Sequence, residues 1–144
     1  MARILALLEL QENSRQVVQS LKESGHEVDV VETFTEATSL LHRQHKIDLI
    51  VSDVHLENGG NVFDFLRWIK RNPAMGETMF VMFSSKPTRA AKYLEDGIRV
   101  SARMLGAAMY ITMENFDSDE FRKKIDSLLP AGNQTMALNP KGKQ

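Results

Sequence analysis

The chain has 144 residues, of which 42% are hydrophobic and 26% are charged, and its formal net charge is −1. This length is typical of one domain with its own core, and the near-neutral charge gives no sign of the basic bias that non-specific nucleic-acid binding needs. The sequence has no cysteine, which excludes disulfides, thiolate metal sites and cysteine nucleophiles and favours a reducing cytoplasm. The apolar start is about seven residues long, too short for a signal peptide or for the ~20 residues of a membrane helix. We therefore expect a soluble cytoplasmic protein with neither a nucleic-acid nor a membrane partner.

Five short apolar runs alternate with helical patterns, and each run is typical of a buried strand. The predicted strands cover residues 4–8, 28–31, 47–52, 79–83 and 108–112. Strict alternation of strands and helices favours a parallel sheet with helices on both faces and right-handed crossovers. The sequence therefore predicts a doubly wound α/β domain over residues 1–130.

Start signals mark the second and third helical patterns, and a glycine interrupts the fourth. Thr33 and Glu36 form a capping box at the start of the second helix, and Asn61 is a candidate N-cap for the third. The fourth pattern is long and begins at Thr88. Gly97 lies in its middle, which indicates a kink or a split in that helix.

The last helix has the clearest signature in the chain. Asp117 is its predicted N-cap, Phe116 and Phe121 fit a hydrophobic staple, and Pro130 stops it. The segment 131–144 is rich in Gly, Pro, Asn and Lys and has few large apolar residues, so we predict that it is disordered.

Polar side chains stand at the ends of the predicted strands, where doubly wound sheets bind their ligands. Asp53 closes the third apolar run, Glu9 the first and Ser84 the fourth. A carboxylate in the position of Asp53 can be a metal ligand, a nucleophile or a helix cap. Two carboxylates on adjacent strands repel each other unless a cation lies between them, and Mg²⁺ suits carboxylates, a carbonyl and water. We therefore predict a Mg²⁺ site formed by Glu9, Asp53 and the backbone carbonyl of His55.

These residues, in this order over 3–129, resemble the receiver domain of bacterial two-component response regulators. The resemblance implies the flavodoxin-like receiver fold, with strand order 2-1-3-4-5. It implies that Asp53, at the end of the segment 48–53, accepts a phosphoryl group from a histidine kinase or phosphotransfer protein. Ser84 would bond the phosphoryl oxygens, and Tyr110, in the segment 106–111, would be the aromatic switch residue.

Two positions depart from the receiver pattern. The acidic pair that usually follows the first strand maps to Leu8 and Glu9, so that one acid is missing. The lysine near the end of the fifth strand maps to Met113. Losing a charge-assisted hydrogen bond to phosphate forfeits roughly 1.5–3 kcal/mol. We therefore expect weak Mg²⁺ binding and slow phosphorylation. Lys86, two residues beyond Ser84, is a candidate phosphoryl contact, and a solvated loop lysine is an equally good interpretation.

The long fourth helix is a candidate docking surface. It carries Arg89, Lys92, Arg99 and Arg103, and the fourth helix and fifth strand of receivers form the surface whose partner affinity changes on phosphorylation. Because the predicted fold uses the chain up to Pro130, we expect output through contact with a downstream protein, with an acidic partner favoured.

Two other functions are alternatives to a phosphoacceptor signalling module. The first is a pseudo-receiver that binds its partner without phosphorylation, which Leu8 and Met113 favour. The second is a flavin-binding electron carrier, which would need a Ser/Thr/Gly-rich loop after the first strand, where the sequence has Glu9 to Asn13. The chain lacks a G-x-G-x-x-G motif and a P-loop lysine motif, so nucleotide-dependent enzymes are disfavoured. We expect a signalling module whose chemistry is at most self-catalysed phosphoryl transfer and autodephosphorylation.

Overall fold

A computed structural model describes residues 2–8, 11–43, 46–54, 61–85 and 89–129 of the protein, without the side chains of 11–13, 85 and 89–95. Three of the predicted site residues, Glu9, His55 and Lys86, lie outside the described residues, as does the segment 131–144 that was predicted to be disordered.

The described residues contain a parallel five-stranded sheet, in agreement with the sequence-based prediction. Its order is β2-β1-β3-β4-β5. The strands are β1 (Arg3–Leu7), β2 (Glu27–Val31), β3 (Leu49–Asp53), β4 (Met79–Ser85) and β5 (Met109–Met113). β3 is therefore the central strand, and the predicted strand order 2-1-3-4-5 is confirmed.

Five α-helices connect and follow the strands. They are α1 (Gln11–Glu23), α2 (Phe34–Arg43), α3 (Val62–Arg71), α4 (Arg89–Met104) and α5 (Ser118–Leu128), and a 3₁₀ turn covers Pro73–Met75. α4 runs without a break through Gly97, so the predicted split is wrong. One glycine costs about 1 kcal/mol relative to alanine, which a 16-residue helix with a packed face can absorb. Within the described residues, no helix is both long enough and apolar enough to cross a membrane.

The predicted helix starts are confirmed by their hydrogen bonds. Thr33 Oγ1 accepts from the Glu36 backbone N–H at 3.1 Å, while the Glu36 carboxylate accepts from the Thr33 N–H at 3.2 Å. Asn61 caps α3 by accepting from Phe63 N–H, and Asp117 caps α5 by accepting from Glu120 N–H. Each cap satisfies a backbone donor that the first helical turn leaves without an intrahelical partner.

The core lies in two layers, one on each face of the sheet. On the α1/α5 face, odd-numbered residues of β3 and β4 pack with buried side chains of α1 and α5, among them Val51, Phe83, Leu21 and Phe121. On the α2–α4 face, even-numbered residues of the same strands pack with the three other helices. Because side chains alternate along a strand, residue parity in β3 and β4 tells which face a site residue occupies.

A tight junction joins α4 to β5. The Gly106 N–H donates to the Arg103 carbonyl at 3.0 Å, and the Ala107 N–H donates to the Ala102 carbonyl at 2.9 Å. This is the pattern of a Schellman C-cap, and Gly106 has the positive φ of 101° that such a cap requires. The next residue, Ala108, already donates to Phe80 of β4 at 2.7 Å. The last turn of α4 is thus fixed within a few residues of the sheet.

Candidate functional site

Asp53 lies at the carboxyl end of the central strand. All five residues of β3 are buried, and Asp53 itself is 3% exposed. It is a register partner of Phe83 in β4, and Leu8, which follows Leu7 of β1, is at the same level on the other side. Asp53 is therefore a buried carboxylate between two neighbouring strands at the edge where ligands of such sheets bind.

Among the side chains that the structure describes, those that share the face of Asp53 at this edge are apolar. Asp53 has the parity of Val51, which belongs to the α1/α5 core together with Leu8, Phe83 and Met113. Leu8 and Met113 are 1% and 6% exposed. The two positions that the receiver pattern fills with an acid and a lysine are thus part of a packed hydrophobic cluster.

Ser84 lies on the opposite face of the sheet from Asp53. It is 2% exposed, and β4 continues past it because Ser84 and Ser85 are register partners of Thr112 and Met113. The predicted strand end at residue 83 is therefore two residues short. Among the residues that the structure describes, Ser84 Oγ is without a hydrogen-bond partner although it is buried. A buried hydroxyl in this state points to an interaction made with a ligand, an ion or water.

Tyr110 lies on the same face as Ser84, on the neighbouring strand. It is a register partner of Met82, two residues before Ser84, and it packs at the edge of the α2–α4 core. The Arg99 guanidinium of α4 lies 4.9 Å from the centre of the Tyr110 ring. One of its N–H groups also donates to the Tyr110 carbonyl at 3.5 Å. Tyr110 thus has a cationic side chain against its ring.

The structure brings some of the predicted site residues together and separates others. Asp53, Ser84 and Tyr110 all lie on the three strands β3 to β5, and the first two stand at their carboxyl ends. Asp53 faces α1 and α5, whereas the other two face α4. Sequence reasoning placed Arg99 on a basic helix face and missed its contact with Tyr110. The spacing of the two residues gives no signal for it, since the contact depends on how α4 packs on the sheet.

The predicted Mg²⁺ site has one described ligand, Asp53. Within the ranges that the structure describes, no three His, Asp or Glu side chains come close enough to hold a metal ion. A buried carboxylate at this edge is the kind of donor that Mg²⁺ prefers, so Asp53 fits the role of a single protein ligand. The Mg²⁺ site stays a prediction, since Glu9 and His55 lie outside the described residues.

The solved structures most similar to this chain include receiver domains of response regulators. The chemotaxis response regulator CheY4 of Vibrio cholerae matches with a TM-score of 0.74 and 21% identity, over 90% of this chain and 99% of that one. The non-phosphorylated HemR receiver domain from Leptospira biflexa matches with a TM-score of 0.71 and 22% identity, over 99% and 100%. The signal receiver domain of a signal transduction histidine kinase from Syntrophus aciditrophicus matches with a TM-score of 0.73 and 19% identity, over 97% and 98%. This chain has the receiver fold.

No family model and no curated protein sequence matches the chain. The likeness to receiver domains therefore rests on the fold, at identities of 19–22% for these three structures. The roles of individual residues in this receiver fold follow from their own positions and contacts.

Proposed function

We propose that the chain is a single-domain signalling module that accepts a phosphoryl group on Asp53. The donor would be a histidine kinase or a phosphotransfer protein, and the output would be contact with a downstream protein. The observation that carries the proposal is a buried carboxylate at the end of the central strand of a receiver fold, with a buried serine hydroxyl without a described partner near the carboxyl end of the neighbouring strand.

The proposed chemistry gives a role to each residue around the phosphoryl group. A carboxylate oxygen of Asp53 attacks the donor phosphorus, the new P–O bond forms, and the bond from phosphorus to the donor breaks. The Ser84 hydroxyl donates a hydrogen bond to a phosphoryl oxygen. Mg²⁺, held by Asp53 with Glu9 and the His55 carbonyl, would neutralise charge on the phosphoryl oxygens, and Lys86 would add a positive charge.

The exposed side of α4 is the proposed contact surface for the downstream protein. Val100 and Met104 are 56% and 80% exposed and lie one helical turn apart, with the exposed Arg103 beside them. An apolar pair flanked by a basic residue suits a partner with apolar and acidic side chains.

The direct test is phosphorylation in solution with acetyl phosphate and Mg²⁺, followed by intact-mass spectrometry. The wild type should gain the mass of one phosphoryl group, slowly, and Asp53→Asn should gain none while its circular dichroism is unchanged. Asp48→Asn is the matched control, because Asp48 lies at the other end of the sheet, where its carboxylate accepts from the Arg3 N–H at 2.8 Å. Loss of the mass gain in both variants, or its persistence in Asp53→Asn, would contradict the assignment of Asp53.

The second candidate function is a pseudo-receiver that binds its partner without phosphorylation. The burial of Leu8 and Met113 in the apolar cluster favours it, because neither side chain can bind a metal or a phosphoryl group as the acid and the lysine of the receiver pattern would. A wild type that gains no mass, together with an Asp53→Asn variant that keeps its partner binding, would decide for this function.

A further inference from the structure

The contact between Arg99 and Tyr110 links the fourth helix to the strand that carries the proposed switch residue. The guanidinium approaches both the face of the aromatic ring, at 4.9 Å, and the carbonyl of the same residue, at 3.5 Å. The planar guanidinium stacks well on aromatic faces and donates hydrogen bonds at its edges, so one arginine can satisfy both contacts. If the ring turns away, the carbonyl contact can remain while the ring contact is lost.

The part of α4 that carries Arg99 is fixed against the sheet, so the position of the Arg99 backbone relative to β5 is well defined. Ala102, one turn later in α4, is 1% exposed in the α2–α4 core, and the helix ends at the Gly106 cap that leads directly into β5. Arg99 itself is half-buried, whereas Arg103 is exposed. The helix backbone therefore cannot easily follow a moving tyrosine ring, and ring movement changes the number of contacts made by the guanidinium.

We propose that Arg99 is a positioning residue that holds the Tyr110 ring against α4 and thereby sets how readily the ring changes position. The inference rests on the proposed function in one respect, namely that phosphorylation of Asp53 is the event that moves the ring. Ser84 and Tyr110 share a face of the sheet on adjacent strands, so a phosphoryl group bonded by Ser84 would act on the side of the sheet that carries the Tyr110 ring. Because the contact with Arg99 stabilises the Tyr110 ring against α4, Arg99 opposes the ring movement that phosphorylation would cause.

The size of the effect follows from the type of contact. A cation–π contact at a partly exposed site corresponds to roughly a two- to five-fold change in the ratio of two ring positions. Removing the guanidinium should raise the population of the turned-away ring by about this factor. Removing a positive charge from an exposed position on the same helix should leave the ratio unchanged.

The experiment uses the two-tyrosine composition of the chain. In a Tyr93→Phe background labelled with fluorotyrosine, Tyr110 gives the only ¹⁹F resonance, and its shift between H₂O and D₂O reports ring exposure. The variants are Arg99→Ala, Arg99→Met, which keeps an apolar stem without the charge, and the matched control Arg103→Ala. We expect both Arg99 variants to shift the Tyr110 resonance and its H₂O–D₂O difference away from the values of the background protein, because the ring leaves α4 more often, and we expect Arg103→Ala to match the background protein. Unfolding curves identify a variant that fails to fold, in which case the remaining Arg99 variant decides.

The outcomes separate this inference from the proposed function. An unchanged resonance in the folded Arg99 variants overturns the positioning role, whether or not Asp53 accepts a phosphoryl group. In a second measurement, the same proteins are treated with acetyl phosphate and Mg²⁺. The phosphorylated Arg99 variants should show the turned ring about two- to five-fold more than the phosphorylated background protein. Equal populations overturn the link to the switch, and a background protein that gains no mass overturns the proposed function while the first measurement stands.

Discussion

Replacing Ser84 with alanine should stabilise the folded protein, which is an unusual outcome for a buried position. The Ser84 side chain is 2% exposed, and its hydroxyl is without a hydrogen-bond partner among the described residues. A buried polar group without a partner costs about 1–3 kcal/mol, because it gives up its hydrogen bonds to water on folding. Alanine removes the hydroxyl at the expense of a space no larger than one oxygen atom, and we expect a net gain of about 1 kcal/mol.

The matched control is Thr78→Val, which removes a hydroxyl that does have a partner. Thr78 is 7% exposed, and its Oγ1 donates to the Ile47 carbonyl at 2.8 Å. Valine has nearly the same shape, so the substitution isolates the loss of this hydrogen bond and should destabilise the protein by about 1–2 kcal/mol. The two hydroxyl deletions should therefore change the free energy of unfolding in opposite directions.

Urea unfolding followed by circular dichroism measures both changes. For a single domain of this size the transition should be two-state, so that a shifted midpoint at constant slope reports a change in stability. A gain of 1 kcal/mol corresponds to a rise in Tm of about 3 °C. If Ser84→Ala destabilises the protein as much as Thr78→Val does, the Ser84 hydroxyl is already satisfied in the free protein and the reasoning is refuted. If Ser84→Ala is more stable and also gains phosphoryl mass more slowly, the serine lowers the stability of the free protein and contributes to phosphorylation through a contact with the phosphoryl group.

Three further substitutions test other parts of the structure. Gly106→Ala should lower the free energy of unfolding by about 1–2 kcal/mol, which is more than Gly25→Ala should cost. Both glycines have positive φ, but only at Gly106 would a Cβ lie close to another side chain, 3.0 Å from Lys70 Cε. Equal losses in urea unfolding would show that Lys70 moves aside freely. Asp117→Ala should lower the free energy of unfolding by about 1 kcal/mol through loss of the α5 cap, and an unchanged midpoint would mean that water replaces the cap fully. Met113→Lys should speed the gain of phosphoryl mass from acetyl phosphate, because its side chain shares the face of the proposed phosphoacceptor, and a folded variant with an unchanged or slower rate would contradict this.

The sheet could be predicted because its signals are local. Apolar runs about five residues long between helical patterns located every strand, and the observed boundaries differ by one or two residues. The difference matters at β4, because the predicted span stops at residue 83 although the backbone of Ser84 and Ser85 still pairs with Thr112 and Met113. Two polar side chains look like the end of a strand in a sequence, whereas the neighbouring strand decides whether the hydrogen-bonded ladder continues. The predicted split of α4 at Gly97 was wrong for a similar reason, because helix propensity is a weak preference that packing overrides.

The site could be predicted by position but not by orientation. Strand ends and the receiver pattern selected Asp53, Ser84 and Tyr110, which stand on three consecutive strands in the sheet. The sequence carries no direct sign that Asp53 faces the opposite side of the sheet from the other two residues, since this depends on where the regular alternation of each strand begins and ends. The contact between Arg99 and Tyr110 was out of reach for a similar reason, because it joins a helix to a strand across the turn at Gly106.

The apolar cluster beside Asp53 determines where charge compensation for a phosphoryl group has to come from. Phosphorylation replaces the single negative charge of the Asp53 carboxylate with a phosphoryl group that carries about two negative charges at neutral pH, and charge buried without compensation is very costly. Leu8, Phe83 and Met113 offer none on the face that Asp53 occupies. Under the proposed function, compensation would then come from the residues that follow β1, β3 and β4, where the chain has Glu9 and His55 for a divalent cation and Lys86 for a direct positive charge. Phosphorylation of Asp53 under the proposed function therefore depends more strongly on the divalent cation than it would with a lysine in place of Met113. The reason is that Met113, at the end of β5, supplies no positive charge, so the cation has to supply it.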